Sequence, residues 1–456
     1  MMKKLALCAL LTMSVTISSP AAELNVSVTD FGAVSDTTQL SSQAFQNAID
    51  HCASRGGGVV NVPAGKYLCA SVWLKSGVTL NLESGATVFA SRNVAHYTTT
   101  MQRGANDMPE AHVLIGALNA HSIAITGDGT LNCRAERETY QRKPFTVLND
   151  SITGREVQNA HNYGVDYLTK WRKIPPFTSA IFFVDCKNVT LHNCNVVDAN
   201  VWSVHLQWCE NVDVNNVQIV SNLHNGVNAD GLDIDGCRDV CVKNCFISTG
   251  DDALCLKTTK CGDRSQSCER VTISDCMLQS SSSALKIGTE SHSDFSQITA
   301  TNCCIFGSNR GISMMIRDGG NVSNVSFSNI TIQCERKETF WWGNGDPIWL
   351  IVYRRKEAKR AGSIKNVTFS NINAVGMSGN RFEAFDGQIE NLVFDNVRMM
   401  IVPETAVDKR CKHMWSFENV SNVRFANITS KWHQLSPDPT WQQTIHLKNT
   451  TNFSQE

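Results

Sequence analysis

Four things are scarce in this chain of 456 residues, and each scarcity removes a class of explanation. The formal net charge is −1, so no excess of one sign draws the protein to nucleic acid or to an anionic membrane. Beyond the first two dozen residues, no run approaches the ~18 apolar residues that a membrane-spanning helix needs. No Cys-x-x-Cys pair occurs, which argues against a zinc site built from the thiols. Helical periodicity is convincing only once, in "QLSSQAFQNAIDHCASRGG". There Phe45, Ala48, Ile49 and Cys52 share one face, and Gly56 to Gly58 stop the helix. What remains is 42% hydrophobic, enough for a sizeable core, and must be built from strands.

The first residues, "MMKKLALCALLTMSVTISSPAAEL", place Lys3 and Lys4 before an apolar stretch that ends in small residues at Pro20, Ala21 and Ala22. This is the pattern of a secretory signal peptide over residues 1–22, leaving 23–456 as the mature chain. Export to the periplasm or the medium permits disulfides. The seventeen cysteines left after Cys8 are odd in number, however, and several recur at one place in a repeat. Stacked buried thiols fit that recurrence better than a disulfide framework.

The repeat sets the architecture. "NVTLHNC", "NVDVNNV", "DVCVKNC", "RVTISDC", "QITATNC", "NVSFSNI", "NVTFSNI", "NLVFDNV" and "NVRFANI" share an alternating apolar strand that closes on a turn residue. That residue is Asn193, Asn216, Asn244, Asp275, Asn302, Asn329, Asn371, Asn396 and Asn427 in turn. A unit of this length with two or three short strands cannot bury its own apolar face. Stacked coaxially, each unit covers the next, and the strands run in parallel ladders. Asn suits the turn because it tolerates a left-handed bend and its amide reaches the equivalent residue one coil away. The expected fold is a parallel β-helix forming one domain, capped at its first coil by the single helix. Insertions are expected at about 134–178 and 333–362.

Period-two alternation also places side chains. Val204/Leu206, Leu232/Ile234, Leu254/Leu256, Leu285/Ile287 and Ile312/Met314 point inward. One outward column is then His205, Asp233, Cys255, Lys286 and Ser313, and the next is Gln207, Asp235, Lys257, Gly288 and Met315. Just ahead of the strands come Trp202, Asp230, Asp252, Ser283 and Arg310, with Asp251 beside Asp252. The stretch "NADGLDIDGCRDVCVKNCFISTGDDALCLK" thus concentrates carboxylates on one outward face, with Lys257, Lys286 and Arg310 close by. Two chemistries compete for such a cluster. A cation site needs several oxygens closing on one ion. Glycoside hydrolysis needs one carboxyl kept protonated beside others that are ionised.

The motifs "NADGLDIDG", "STGDDALCLK" and "SSALKIGTES", together with the entry "VTDFGAVSD" and "GGGVVNVPAGKYL", resemble glycoside hydrolase family 28. This is the polygalacturonase and rhamnogalacturonan hydrolase family of the pectin lyase-like scaffold, and the resemblance spans about residues 26 to 430. It implies a single-stranded right-handed parallel β-helix and an inverting hydrolase of pectic polysaccharide. It also implies no cofactor and no metal. Carried over by motif, Asp251 is the general acid, and Asp230 and Asp252 hold and deprotonate water. A secreted bacterial enzyme, working as a monomer without nucleic acid or membrane, is the expectation. A polysaccharide lyase and a carbohydrate-binding β-helix are the rivals.

The resemblance breaks at the substrate clamp. Ser283 stands where the family has a His, and Ser313 and Met315 stand at the family's Arg and Lys positions. Replacement contacts to a uronate are expected from Lys257, Lys286, Arg310 and Arg317, with His205, His224 and Asp233 facing or flanking the groove. The segment "ETFWWGNGDPIWLIVYRRKEAKR" fills the longest gap in the repeat. Trp341, Trp342 and Trp349 there are candidates for a sugar-stacking wall, with Arg354 or Arg355 near an anionic group. Similar segments occur in the bacterial, often exo-acting, branch of the resembled family.

Overall fold

The structure is a computed structural model that describes residues 24–104, 110–135, 140–144, 169–337, 343–355, 358–402, 413–433 and 443–456. Its strands stack in parallel ladders. A 23-stranded sheet and a 13-stranded sheet wrap a common apolar interior, the architecture of a right-handed parallel β-helix. The helix Ser42–Ala53 buries Ala44, Phe45, Ala48, Ile49 and Cys52 against the first coil, and Phe45 packs edge-on to Tyr67. Gly57 ends this segment at φ 123°. A Cβ there would sit 2.4 Å from the carbonyl oxygen of Gly77, so only glycine lets the two turns meet.

Coil-to-coil register follows the repeat. Val189, Val212, Val240, Val271, Ile298, Val325, Val367, Leu392 and Val423 form one continuous interior row. The residues two positions on form a second row, which becomes aromatic at Phe327, Phe369 and Phe394. The rings of these three stack at 5.2 and 4.9 Å. Each such pair adds about 0.5–1.5 kcal/mol beyond the area it buries.

All nine turn positions of the repeat lie in the left-handed region, with φ from 52° to 64°. Amides stack as expected in the C-terminal half: Asn329 donates to Asn302, Asn371 to Asn329, and Asn396 to Asn371, at 2.8–3.2 Å. The ladder is interrupted around Asp275, which has no amide to donate, and Asn244 donates to Asn215 instead of Asn216. A second asparagine column lies five residues earlier in the repeat. It links Asn324, Asn366, Asn391, Asn422 and Asn452 through one amide bond per coil.

The described cysteines are free thiols. Cys186, Cys209 and Cys237 neighbour one another in successive coils, as do Cys245, Cys276 and Cys303, and their thiols donate to main-chain carbonyls. This matches the stacking inferred from the repeat.

The two insertions fare differently. Of the first, an antiparallel hairpin between Tyr140–Pro144 and Thr169–Lys173 is described, while 136–139 and 145–168 lie outside the described residues. The second is shorter than its gap suggests. Asp346–Val352 is an ordinary strand of the 13-stranded sheet, paired with Arg310–Ile316, and its Ile348, Leu350 and Val352 point inward like any other coil. Trp341 and Trp342 lie outside the described residues. No described helix is long and apolar enough to cross a membrane.

Candidate active site

Five strands of the 13-stranded sheet carry the site: Val204–Gln207, Leu232–Asp235, Leu254–Thr258, Ser283–Ser291 and Arg310–Ile316. Their register places His205, Asp233, Cys255, Lys286 and Ser313 in one column, followed by Trp349. Gln207, Asp235 and Lys257 form the next. Both columns face away from the barrel interior, as the alternation requires. They are not, however, on an open surface. Asp230, Asp252, Lys257 and Lys286 are only 2%, 1%, 3% and 7% exposed. Alternation tells which way a side chain leaves the sheet, but not what packs over it, and here other segments close over the face.

Asp230 and the Asp251–Asp252 pair sit just ahead of adjoining strands, pinned by backbone bonds from coil to coil. Gly231 N donates to the Asp252 carbonyl at 2.8 Å, and Ala253 N donates to that of Ser283 at 2.9 Å. The turn before Asp251 requires Gly250, where a Cβ would lie 2.1 Å from the carbonyl oxygen of Asn222. The Asp251 carbonyl then accepts both Thr249 Oγ1 and Ser280 Oγ, which holds its peptide in place. One oxygen from each of Asp230, Asp251 and Asp252 lies within 4.8 Å of the others. The carboxylates that the sequence spreads over twenty-three residues converge at one spot.

Their settings are unequal. Asp252 is opposed by burial, but the Lys286 ammonium, 2.5 Å from its Oδ2, and Lys257 outweigh that and hold the carboxyl below its ordinary value. Asp251 keeps partial solvent contact and accepts Asn228 N and Asp252 N at 3.0 and 2.9 Å. Burial, then the Asp252 charge, push it up to about 6. Asp230 is raised further by burial and by Asp233, although Lys257 stands 3.4 Å away. Lys257 is shared: it also meets Asp233 at 3.5 Å and Glu290 at 3.4 Å, and lies over the Trp202 ring at 4.3 Å. Two ammonium groups already sit against the trio, and a divalent cation would have to compete with them for the same oxygens.

The other expected contacts divide. Lys257 and Lys286 are in the cluster. Asp233 is fully buried and serves as a partner of Lys257. His205 does not reach a ligand surface. It is fully buried, stacks on Phe182, and places Nε2 2.9 Å from Asp235, while burial lowers it to about 4 and leaves it neutral. Its partner Asp235 is further held by Thr259 and Gln207. His224 lies exposed on a turn closed by Asn222. Arg310 and Arg381 both lie over Trp349, at 4.5 and 3.8 Å, and the indole Nε1 donates to Glu383. Trp349 is therefore a buried packing element that guanidinium groups cover, and offers no wall for sugars. Arg317 lies over Tyr353 at 4.1 Å. Arg354 is exposed, and Arg355 bonds both oxygens of Asp318. Sequence reasoning missed Arg103 and Glu290 as members of the cluster, and placed Trp202 in the Asp230 column without a role. Glu290 was available from alternation two residues beyond Gly288. Arg103 comes from a distant coil and leaves no local signal.

A parallel β-helix with a carboxylate trio on its second sheet is thus the class of protein that the fold and site define. The family model "Glycosyl hydrolases family 28" matches residues 52–338, and the chain belongs to that family. A "Probable polygalacturonase" of Vitis vinifera is 26% identical over 244 residues, which are 51% of this chain and 44% of the relative. An "Exo-poly-alpha-D-galacturonosidase" of Dickeya chrysanthemi is 26% identical over 265 residues, 53% of this chain and 43% of the relative. The chain therefore spans less than half the length of either. The solved family 28 exopolygalacturonase of Yersinia enterocolitica superposes with a TM-score of 0.69 at 19% identity. That match covers 95% of this chain and 78% of the neighbour, a likeness of fold.

Proposed function

We propose that the protein hydrolyses galacturonosyl linkages of pectic polysaccharides or their oligosaccharides, with inversion at the anomeric carbon. The observation that carries the hydrolytic chemistry is the trio, three carboxyls within 4.8 Å, one held low by Lys286 and one raised to about 6, while inversion is taken from the family resemblance. Asp251, protonated in mildly acidic solution, gives its proton to the glycosidic oxygen as the bond to the anomeric carbon breaks. Water held by Asp230 attacks the opposite face and loses its proton to Asp252. Lys286 keeps Asp252 ionised and able to accept it. Because water, activated by a carboxylate, is the attacking group, no bond forms between the sugar and the protein.

Exo action is supported by the name of the Dickeya chrysanthemi relative. The basic and apolar start of the chain supports export to the periplasm or medium, with cleavage near Ala22. We further read the mature chain as a single-domain monomer. Incubation with polygalacturonate and rhamnogalacturonan tests the activity. New reducing ends without an ultraviolet-absorbing unsaturated product are expected, with loss of activity in Asp251→Asn. Unsaturated products, or an Asp251→Asn variant as active as the parent, would sink the hydrolytic reading.

A further inference from the structure

The hairpin of the first insertion is strongly basic. Its strands Tyr140–Pro144 and Thr169–Lys173 read "YQRKP" and "TKWRK", five cations and no acid in a chain whose net charge is −1. The end of the second strand reaches the trio. Lys173 Nζ donates to Asn228 Oδ1 at 3.0 Å, and Asn228 N donates to Asp251 Oδ2 at 3.0 Å. One residue thus separates the ammonium from the general acid. The chain just after Lys173 is held in place. Asn200 Nδ2 donates to the carbonyls of Ile174 and Pro176 at 3.3 and 3.0 Å, and Arg92 donates to the Pro176 carbonyl at 3.3 Å.

Access sets this lysine apart from the cations packed inside the cluster. Lys257, Lys286 and Arg103 are closed over, as are Asp230 and Asp252, whereas Lys173, Asn228 and Asp251 are all half-buried and form one run in contact with solvent. A sugar that meets Asp251 from its solvent side lies against the Lys173 ammonium. The positions of the missing clamp offer no such contact. Met315 packs with Trp349, Ile351 and Tyr353 in an apolar cluster, and Ser313 carries no charge. We propose that Lys173 binds the carboxylate of a galacturonosyl residue flanking the bond that Asp251 protonates. The inference rests on the pectic reading above and adds where its charge selection resides. An ammonium has three donors on a flexible stem, so it can engage a carboxylate oxygen beside Asn228.

Binding tests this independently of turnover. Calorimetry on the full chain compares a sulfur-linked digalacturonate, which resists hydrolysis, with its methyl ester. The wild-type protein is expected to prefer the acid. Lys173→Met should reduce the acid-to-ester affinity ratio about tenfold while ester binding changes less than about twofold, and Lys173→Arg should keep the ratio within about threefold. An unchanged ratio in Lys173→Met overturns the proposal. If both affinities fall together, the lysine only holds Asn228. An Arg variant as unselective as the Met variant overturns it too, because the charge is then not what selects. A wild-type protein that binds neither ligand, or both alike, overturns it even if neither variant folds. Selective binding that depends on Lys173 in a protein that cleaves no pectic substrate sinks the hydrolytic reading alone.

Discussion

Replacing Asp251 by Asn should change the stability of the protein in a way that depends on pH, and the sign is set by the site. The folded-state carboxyl is raised from 3.8 to about 6. Folding therefore favours the protonated form. The stability this contributes is fully present below about pH 4 and is lost as pH rises through about 6. Two units at about 1.4 kcal/mol each make the loss at most about 3 kcal/mol, since the carboxyl keeps some solvent contact. Asn does not titrate and escapes the loss. It carries a separate, pH-independent penalty. The carboxylate accepts two backbone N–H groups, from Asn228 and Asp252, and an amide has one oxygen to offer them, which costs about 1–3 kcal/mol. The variant should be the less stable protein at about pH 4 and reach or pass parity at about pH 7.5. Urea midpoints of both proteins, measured with a reductant at the two pH values, read the difference. Activity should fall at least about a hundredfold with loss of the general acid. A stability gap that stays constant across this range would mean that Asp251 is not raised, and the assignment of the acid would go with it.

Lys286→Met removes the cation that holds Asp252 low, so the acidic limb of the kcat/KM profile should move up by about one pH unit or more. An unmoved limb would separate Lys286 from the base. Phe369→Ala, between Phe327 and Phe394, should cost about 3–5 kcal/mol by chemical denaturation while leaving KM unchanged at low temperature. Asn371 both donates to Asn329 and accepts from Asn396 at φ 53°. Asn371→Gly should therefore be less destabilising than Asn371→Ala, because glycine restores the backbone freedom though not the amide ladder. Equal thermal shifts for the two variants would remove backbone conformation from the account.

What was legible in the sequence was whatever repeats at short range. Alternation of two assigned Leu232 and Ile234 to the interior and Asp233 to the other side, because a pleated strand leaves no third choice. The left-handed turn at every repeat asparagine followed from the residue itself. The trio was readable because its members lie on neighbouring coils, where stacking converts sequence spacing into proximity. Contacts made across the stack by unrelated segments were not readable. Nothing near Arg103 announces Trp202, which lies ninety-nine residues away, and nothing in "DPIWLIV" says that Arg310 and Arg381 will cover its indole. The enclosure of the outward columns belongs to the same class of information.

The free thiols carry a consequence for how such a molecule matures. If the chain is exported as proposed, it meets an oxidising compartment with this many unpaired sulfurs and is exposed to wrong cross-links for as long as it stays open. Once Cys186, Cys209 and Cys237 are enclosed, oxidants no longer reach them, and burial holds the Cys209 thiol well above its ordinary value, so its thiolate is scarce. Speed of closure then substitutes for bond formation, and the nascent solenoid needs a brisk zipping-up more than it needs an oxidase.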